Sequence, residues 1–438
     1  MNSKYWRPLN TAVIDYAINI VKGEGVYLYD DNGKKYLDAN SGLWNVNFGY
    51  SDKLIKEAMK EQIDRLPYIN PITLSTSLAL ELSEILCEMT HEEISKVIYA
   101  CSGSEAVEAA IKISRKYSNL AGRNKHHIAV IDGSYHGSFY GSMSASIYDE
   151  SEKAGYGPML DGFVKLPIPF CRCCKTEEMS EGCKHRILGK LEEELEEYKE
   201  KLCAVIMEPI LASGGIIPLF KEYIMTIYNF CKKNDILFIC DEVATGFGRT
   251  GTMFRFQQFD LKPDLITMSK GINNGYLPMG AICVTKKIED IFIKNSMTLF
   301  HLSTQNSNPI CLASALATIK KMKSENIMDN IKANSEYLKS VLNSELLNLN
   351  IVNEVRIYGL MAAIDLIDNK SWKPITRELL MRIVGKVYSL GCFSGMSFVE
   401  DITSSILLFP QFIASKNNMD EIVKIVKIAL CEESIQMK

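Results

Sequence analysis

Four apolar runs in this 438-residue chain end in residues able to do chemistry. Lys96-Val97-Ile98-Tyr99-Ala100 gives way to Ser102-Gly103-Ser104-Glu105, and Ile128-Ala129-Val130-Ile131 to Asp132-Gly133-Ser134-Tyr135-His136-Gly137. Ile236-Leu237-Phe238-Ile239-Cys240 stops at Asp241-Glu242, and Leu265-Ile266-Thr267-Met268 at Ser269-Lys270-Gly271. Such runs read as buried strands of a mostly parallel sheet, and open sheets of that kind bind ligands beyond the carboxyl ends of their strands.

Each end has a plain structural reading beside a chemical one. The Ser-Gly-Ser start of an apolar-periodic helix is an ordinary cap, or a cradle of free amides for a phosphate dianion. Tyr135 packs a loop, or stacks on a planar ring. Asp241, leaving a buried strand, needs a partner: a salt bridge, a metal, or a protonated pyridine nitrogen that the pairing keeps cationic. Lys270 extends into water as most lysines do, or forms a Schiff base with an aldehyde through an amine activated by desolvation or nearby cations. Phosphate, planar ring, ring nitrogen and aldehyde are parts of one molecule, pyridoxal 5′-phosphate. Their partners arise in sequence order at four ends of one presumed sheet.

The elements that must position them alternate as in an α/β fold. Helical patterns at Leu54 to Asp64 and Ser77 to Met89 precede the first run, and Ala204-Val205-Ile206-Met207 and Ala281-Ile282-Cys283-Val284 supply further strands. A hairpin is expected near the start: Gly25 to Asp30, a turn at Asp31-Asn32-Gly33, then Lys34 to Asp38. Beyond Pro309 a long helical stretch reaches about Leu346 and leads into a smaller region of strands and helices. The expected architecture is a large cofactor-binding domain, residues 52–310, with a mostly parallel sheet flanked by helices. Residues 1–51 and 311–438 are expected to form a smaller α+β domain.

Bulk properties narrow the partners. An apolar content of 47%, with 23% charged residues, can bury a large core, so disorder is not the default. A formal charge of -4 with no basic run gives no general attraction for nucleic acid or an anionic membrane. The first ten residues lack a signal-type or membrane-spanning apolar stretch, and 13 cysteines, an odd number, suit reduced thiols. A cytoplasmic enzyme with small-molecule substrates is expected.

The sequence resembles the class III aminotransferases, or omega-aminotransferases, of pyridoxal-phosphate fold type I. The likeness is carried by Ser102 to Ala110, Tyr135-His136-Gly137, Glu208-Pro209, Asp241-Glu242-Val243-Ala244-Thr245-Gly246-Phe247-Gly248-Arg249-Thr250-Gly251, and Ser269-Lys270-Gly271 through Pro278-Met279-Gly280. It runs over nearly the whole chain. The resemblance implies that Lys270 carries the cofactor and that Gly103 and Ser104 bind its phosphate. It further implies that Tyr135 and Val243 lie on its two faces, that Asp241 pairs with its ring nitrogen, and that Glu208 helps to position both ring and acid. Thr304 would reach the phosphate of a neighbouring subunit, which implies a homodimer with shared sites, and Trp44 would line the substrate pocket. The implied activity transfers an amino group between an amine or amino acid and an aldehyde or keto acid in ping-pong order. Lys270 would be both anchor and general acid-base, with Asp241 the second catalytic residue. An aminomutase or decarboxylase of the same fold shares these motifs.

Two other classes compete. Gly246 to Gly251 fits G-x-G-x-x-G, the mark of a nicotinamide-dependent oxidoreductase, but Thr252 to Pro263 lacks the apolar helix which that fingerprint requires. Cys171, Cys173, Cys174, Cys183 and His185 suggest a zinc-stabilised binding module. Their spacing, C-x-C-C-x8-C-x-H, lacks paired C-x-x-C knuckles, so a loop with free thiols is expected and no metal is assigned. For the substrate, the informative feature is a departure. Many relatives end in an arginine-bearing strand, whereas this chain has no arginine after Arg382, and Ser404 to Gln411 offers no bidentate clamp for a carboxylate. Arg356 is read as structural. At least one substrate is expected to lack the usual carboxylate.

Overall fold

A computed structural model describes residues 4–9, 18–148, 150–324 and 327–435. Parts of the 1–51 segment assigned to the small domain, residues 1–3 and 10–17, lie outside the described residues. The central sheet has seven strands in the order Ile94–Ala100, Gly280–Thr285, Leu265–Met268, Leu237–Asp241, Leu202–Met207, His127–Ile131, Phe163–Leu166. Gly280–Thr285 is antiparallel to both its neighbours, and the other neighbouring pairs are parallel. The mostly parallel sheet is therefore present with one reversed strand.

Its composition explains its depth. Leu202–Met207 and Leu265–Met268 are buried at every position, because alternate side chains serve two cores. Ile128, Val130, Ile206 and Ile239 pack with Ala106, Val107 and Ala110 of helix Gly103–Leu120 on one face. Ala129, Ile131, Val205 and Phe238 join the larger core on the other face, with Leu191 of helix Glu181–Tyr198 and Tyr223 of helix Lys221–Asn234. The edge strand Phe163–Leu166 was not anticipated: it is four residues long, a lysine interrupts its apolar residues, and its burial alternates along the strand.

A second, antiparallel sheet runs Val352–Tyr358, Met361–Leu366, Thr403–Leu408, Gly395–Val399. The helical stretch before it is two helices, Pro309–Ser324 and Ile327–Leu346. The expected N-terminal hairpin gains a leading strand, Ile20–Glu24, which turns at Gly25 and Val26 into Tyr27–Asp30 and then Lys35–Asp38. Leu37 and Asp38 pair with Cys392 and Phe393, so the two ends of the chain share a sheet.

Arg249 fastens these parts together. Its buried guanidinium donates to the carbonyls of Leu360 and Pro410, to Ser41 Oγ and to Asn47 Oδ1. The G-x-G-x-x-G stretch around it is thus a turn organised by an arginine. The short helical turn that follows it is Arg255–Phe259, and no phosphate-binding helix starts there.

Candidate active site

The strand ends converge as the topology requires: Asp241 ends one strand, and Lys270 lies two residues beyond the end of the adjacent parallel strand Leu265–Met268. The Asp241 side chain is buried, and Oδ1 accepts from the Val243 amide at 3.1 Å and from Thr267 Oγ1 at 3.0 Å. Thr267 is the register partner of Asp241, which is why a single polar residue interrupts that apolar run. Asp241 Oδ2 meets His136 Nδ1 at 2.7 Å. A carboxylate has about four acceptor sites. Three are taken in this way, so the acid is fixed in orientation with one site left for a further donor.

Lys270 follows its strand at a φ of 37°, in the left-handed region that costs a non-glycine residue about 1–3 kcal/mol. Desolvation lowers the pKa of its amine, opposed by the charges of Asp241 and Glu208. Among the described residues Nζ has no hydrogen-bond acceptor, and it sits 4.8 Å from the centroid of the Trp44 ring. Trp44 itself stacks on Phe409 at 4.5 Å and donates from Nε1 to Asn40 Oδ1. A desolvated lysine amine, aromatically walled and short of an acceptor, is suited to covalent attachment of a carbonyl.

Ser102 caps the helix Gly103–Leu120 by accepting from the Glu105 amide, which leaves the Gly103 and Ser104 amides at the open end of the helix dipole. A Cβ at Gly103 would lie 2.9 Å from Val243 Cγ1, so glycine is required for that close approach. The next wall is tied in by Ser104 Oγ, which accepts from the Ser138 amide at 3.2 Å. Glu208 Oε1 accepts from the Tyr135 amide and Oε2 from the Ala212 amide, and burial pushes its carboxyl pKa up to about 7. Tyr135 retains 39% exposure and stands edge-on to Tyr148, which leaves its ring accessible from the cleft.

Lys270, Asp241, Gly103, Ser104, Val243, Tyr135, Glu208 and Trp44 therefore belong to one connected site. Thr304 does not join them within the single chain: it is exposed, and its carbonyl accepts from Tyr68 Oη at 3.1 Å. The sequence reading gave no role to His136, Thr267 or Phe409. The signal for His136 was its place beside Tyr135, and for Thr267 its polarity inside an apolar strand. Phe409 carried none, because its partner Trp44 lies at the other end of the chain.

The donor set matches a phosphorylated, cationic heteroaromatic aldehyde: helix-start amides, a glycine cradle, a fixed carboxylate with spare acceptor capacity, and a lysine without an acceptor. A family model described as aminotransferase class-III matches residues 10–430. The chain is 35% identical over 412 residues to the adenosylmethionine-8-amino-7-oxononanoate aminotransferase of Methanocaldococcus jannaschii, covering 89% of this chain and 87% of that one. It is 34% identical over 432 residues to gamma-aminobutyrate transaminase 1, mitochondrial, of Oryza sativa subsp. indica, covering 94% and 80%. Its structure is similar to that of an amine transaminase from an uncultivated Pseudomonas species in a PLP-bound form, with a TM-score of 0.91 and 27% identity over 99% of this chain and 100% of that one. Fold and site define a fold type I pyridoxal-phosphate enzyme. The chain belongs to the class III aminotransferases, which depend on pyridoxal phosphate.

Proposed function

We propose that Lys270 Nζ is the attachment point of the cofactor and the proton carrier of the reaction. When bound, pyridoxal phosphate supplies an aldehyde carbon for the amine and a ring that draws electrons from the carbon losing its proton. Lys270 Nζ would hold the proton exchanged with the substrate carbon. Asp241 holds the proton on the ring nitrogen, His136 and Thr267 fix the acid, and the Gly103 and Ser104 amides bind phosphate. Tyr135 and Val243 flank the ring, Glu208 anchors the Tyr135 loop, and Trp44 walls the substrate side. Donor and acceptor use this one site in ping-pong order. The observation that carries the reading is a fixed Asp241 and an acceptor-free Lys270 at the ends of neighbouring parallel strands. Lys270→Ala is expected to abolish both the visible absorbance of bound cofactor and steady turnover, and retention of both would defeat the assignment.

For the substrate, we infer that at least one partner lacks the usual carboxylate, as an amine, an amino alcohol or an aldehyde at the end of a larger molecule does. Arg249 is consumed by four protein acceptors, and Arg356 by Glu354, Asp365, Gly215, Thr403 and Ser405. The strand Thr403–Leu408 is buried and arginine-free. A donor–acceptor panel decides: turnover of alanine with 2-oxoglutarate, both carboxylate-bearing, as fast as any amine tested would overturn the inference.

We further take residues 52–310 as a cofactor-binding domain and 1–51 with 311–438 as a second, a division supported by the pairing of Leu37–Asp38 with Cys392–Phe393. A homodimer is supported by the apolar side chains left at the surface near Thr304, including Phe300 at 92% and Leu302 at 58% exposure. In that assembly Thr304 serves the neighbouring subunit's phosphate. No disulfide joins any of the thirteen cysteines among the described residues, as suits the cytoplasm.

A further inference from the structure

The cysteine-bearing loop plays no part in the aminotransferase reading. It lies between strand Phe163–Leu166 and helix Glu181–Tyr198, and Cys183 enters from the first turn of that helix. Ser180 caps the helix by accepting from the Cys183 amide, which swings this thiol back onto the loop. The irregular spacing that argues against a metal in the sequence is overcome by that turn. The sulfurs of Cys171, Cys173, Cys174 and Cys183 all lie within 4.8 Å of one another. The five shorter separations are 2.9 Å (Cys171 to Cys173), 3.3 Å (Cys171 to Cys183), 3.5 Å (Cys173 to Cys183), 3.7 Å (Cys174 to Cys183) and 3.8 Å (Cys173 to Cys174). His185, on the same helix, is outside the group.

We propose that these four cysteines form a structural zinc site. A zinc–sulfur bond of about 2.3 Å sets the edge of a tetrathiolate tetrahedron at roughly 3.8 Å, at the long end of the five separations and inside the 4.8 Å that contains all four sulfurs. Four protein ligands close the coordination shell, which marks a structural ion and leaves no open position for catalysis. Thiolates around a divalent ion leave two negative charges, and Arg186 Nη2 donates to Cys171 Sγ at 3.8 Å to meet part of that charge. The loop also reaches the second sheet. Arg172 donates from Nε to the Asp401 carbonyl at 3.1 Å and from Nη2 to the Ile402 carbonyl at 2.9 Å. Thr176 donates from its amide and hydroxyl to Glu354, the ion-pair partner of Arg356. The ion would therefore lock the connection that fastens the central sheet to the antiparallel one.

The test is the metal content of the full-length, cofactor-loaded enzyme, purified without a metal-affinity column and desalted from chelator. About one zinc per chain is expected, falling below roughly a tenth in the Cys173→Ser, Cys174→Ser double variant. Cofactor loading should be retained there, and Cys87→Ser, outside the cluster, should keep its zinc. Should the double variant precipitate, alkylation of the native wild type followed by mass spectrometry gives the same answer: the four cysteines should be protected until a strong chelator is added. Iron in place of zinc, an unmetallated wild type with these thiols alkylated or joined as disulfides, or full zinc in a folded double variant would each overturn the proposal.

Discussion

Gly103 and Val243 show how narrow the tolerances of this site are. The missing Cβ at position 103 is the space in which Val243 stands, and Val243 is also the residue whose amide orients Asp241. Gly103→Ala is therefore expected to disturb the phosphate cradle and the acid together, weakening cofactor affinity by about 10-fold or more, a loss of about 1.4 kcal/mol. Val243→Ala in the same chain should recover most of that loss, because it removes the methyl that the new Cβ meets. Cofactor titration of the two single variants and the double variant measures the coupling, and simple additivity would show that the contact is not the cause. Lys270 is less forgiving: its positive φ and its approach to Trp44 place the amine, so no substitution elsewhere restores what its loss removes.

The strand Leu237–Asp241 and the turn that follows it carry two acids with different duties. Asp241 faces the site, whereas Glu242 is wholly buried behind it, accepting from Thr245 Oγ1 at 2.5 Å and from the Phe256 amide at 2.8 Å. Burial pushes the Glu242 pKa up to about 7. A carboxyl raised in the folded state favours folding below its ordinary pKa near 4.5 and loses that advantage as the pH rises through 7. Glu242→Gln should thus gain stability relative to wild type as the pH rises from about 5 to about 7, tracked by thermal unfolding of the cofactor-free proteins. A gap that is flat or shrinks with pH would contradict the burial argument. The same strand shows what a sequence makes legible. Its unbroken apolar run and abrupt acid located both an interior strand and a candidate site residue, and the same logic found Lys270. The edge strand Phe163–Leu166 escaped because a half-exposed strand has no such run. His136 escaped because its task is defined by Asp241, 105 residues away, and the tetrahedron of sulfurs because its last corner depends on where a helix cap turns the chain.

At the scale of the molecule, the apolar surface near Thr304 gives the proposed assembly a direct test. Phe300→Asp should shift the enzyme from dimer to monomer in sedimentation, with cofactor affinity falling alongside if Thr304 completes a neighbour's site; a dimer of unchanged stability would point to another interface. The closure of the site has a different consequence, one of timing. Ser41 Oγ donates to the carbonyl of Phe409, 368 residues later, and the adjacent Trp44 stacks on the Phe409 ring. At roughly 5–20 residues per second of synthesis, the wall over Lys270 waits on the order of 20–70 s for its second half to be made. A nascent chain can complete its central sheet in that interval, yet the pocket beside the reactive lysine stays open until almost the whole protein has left the ribosome.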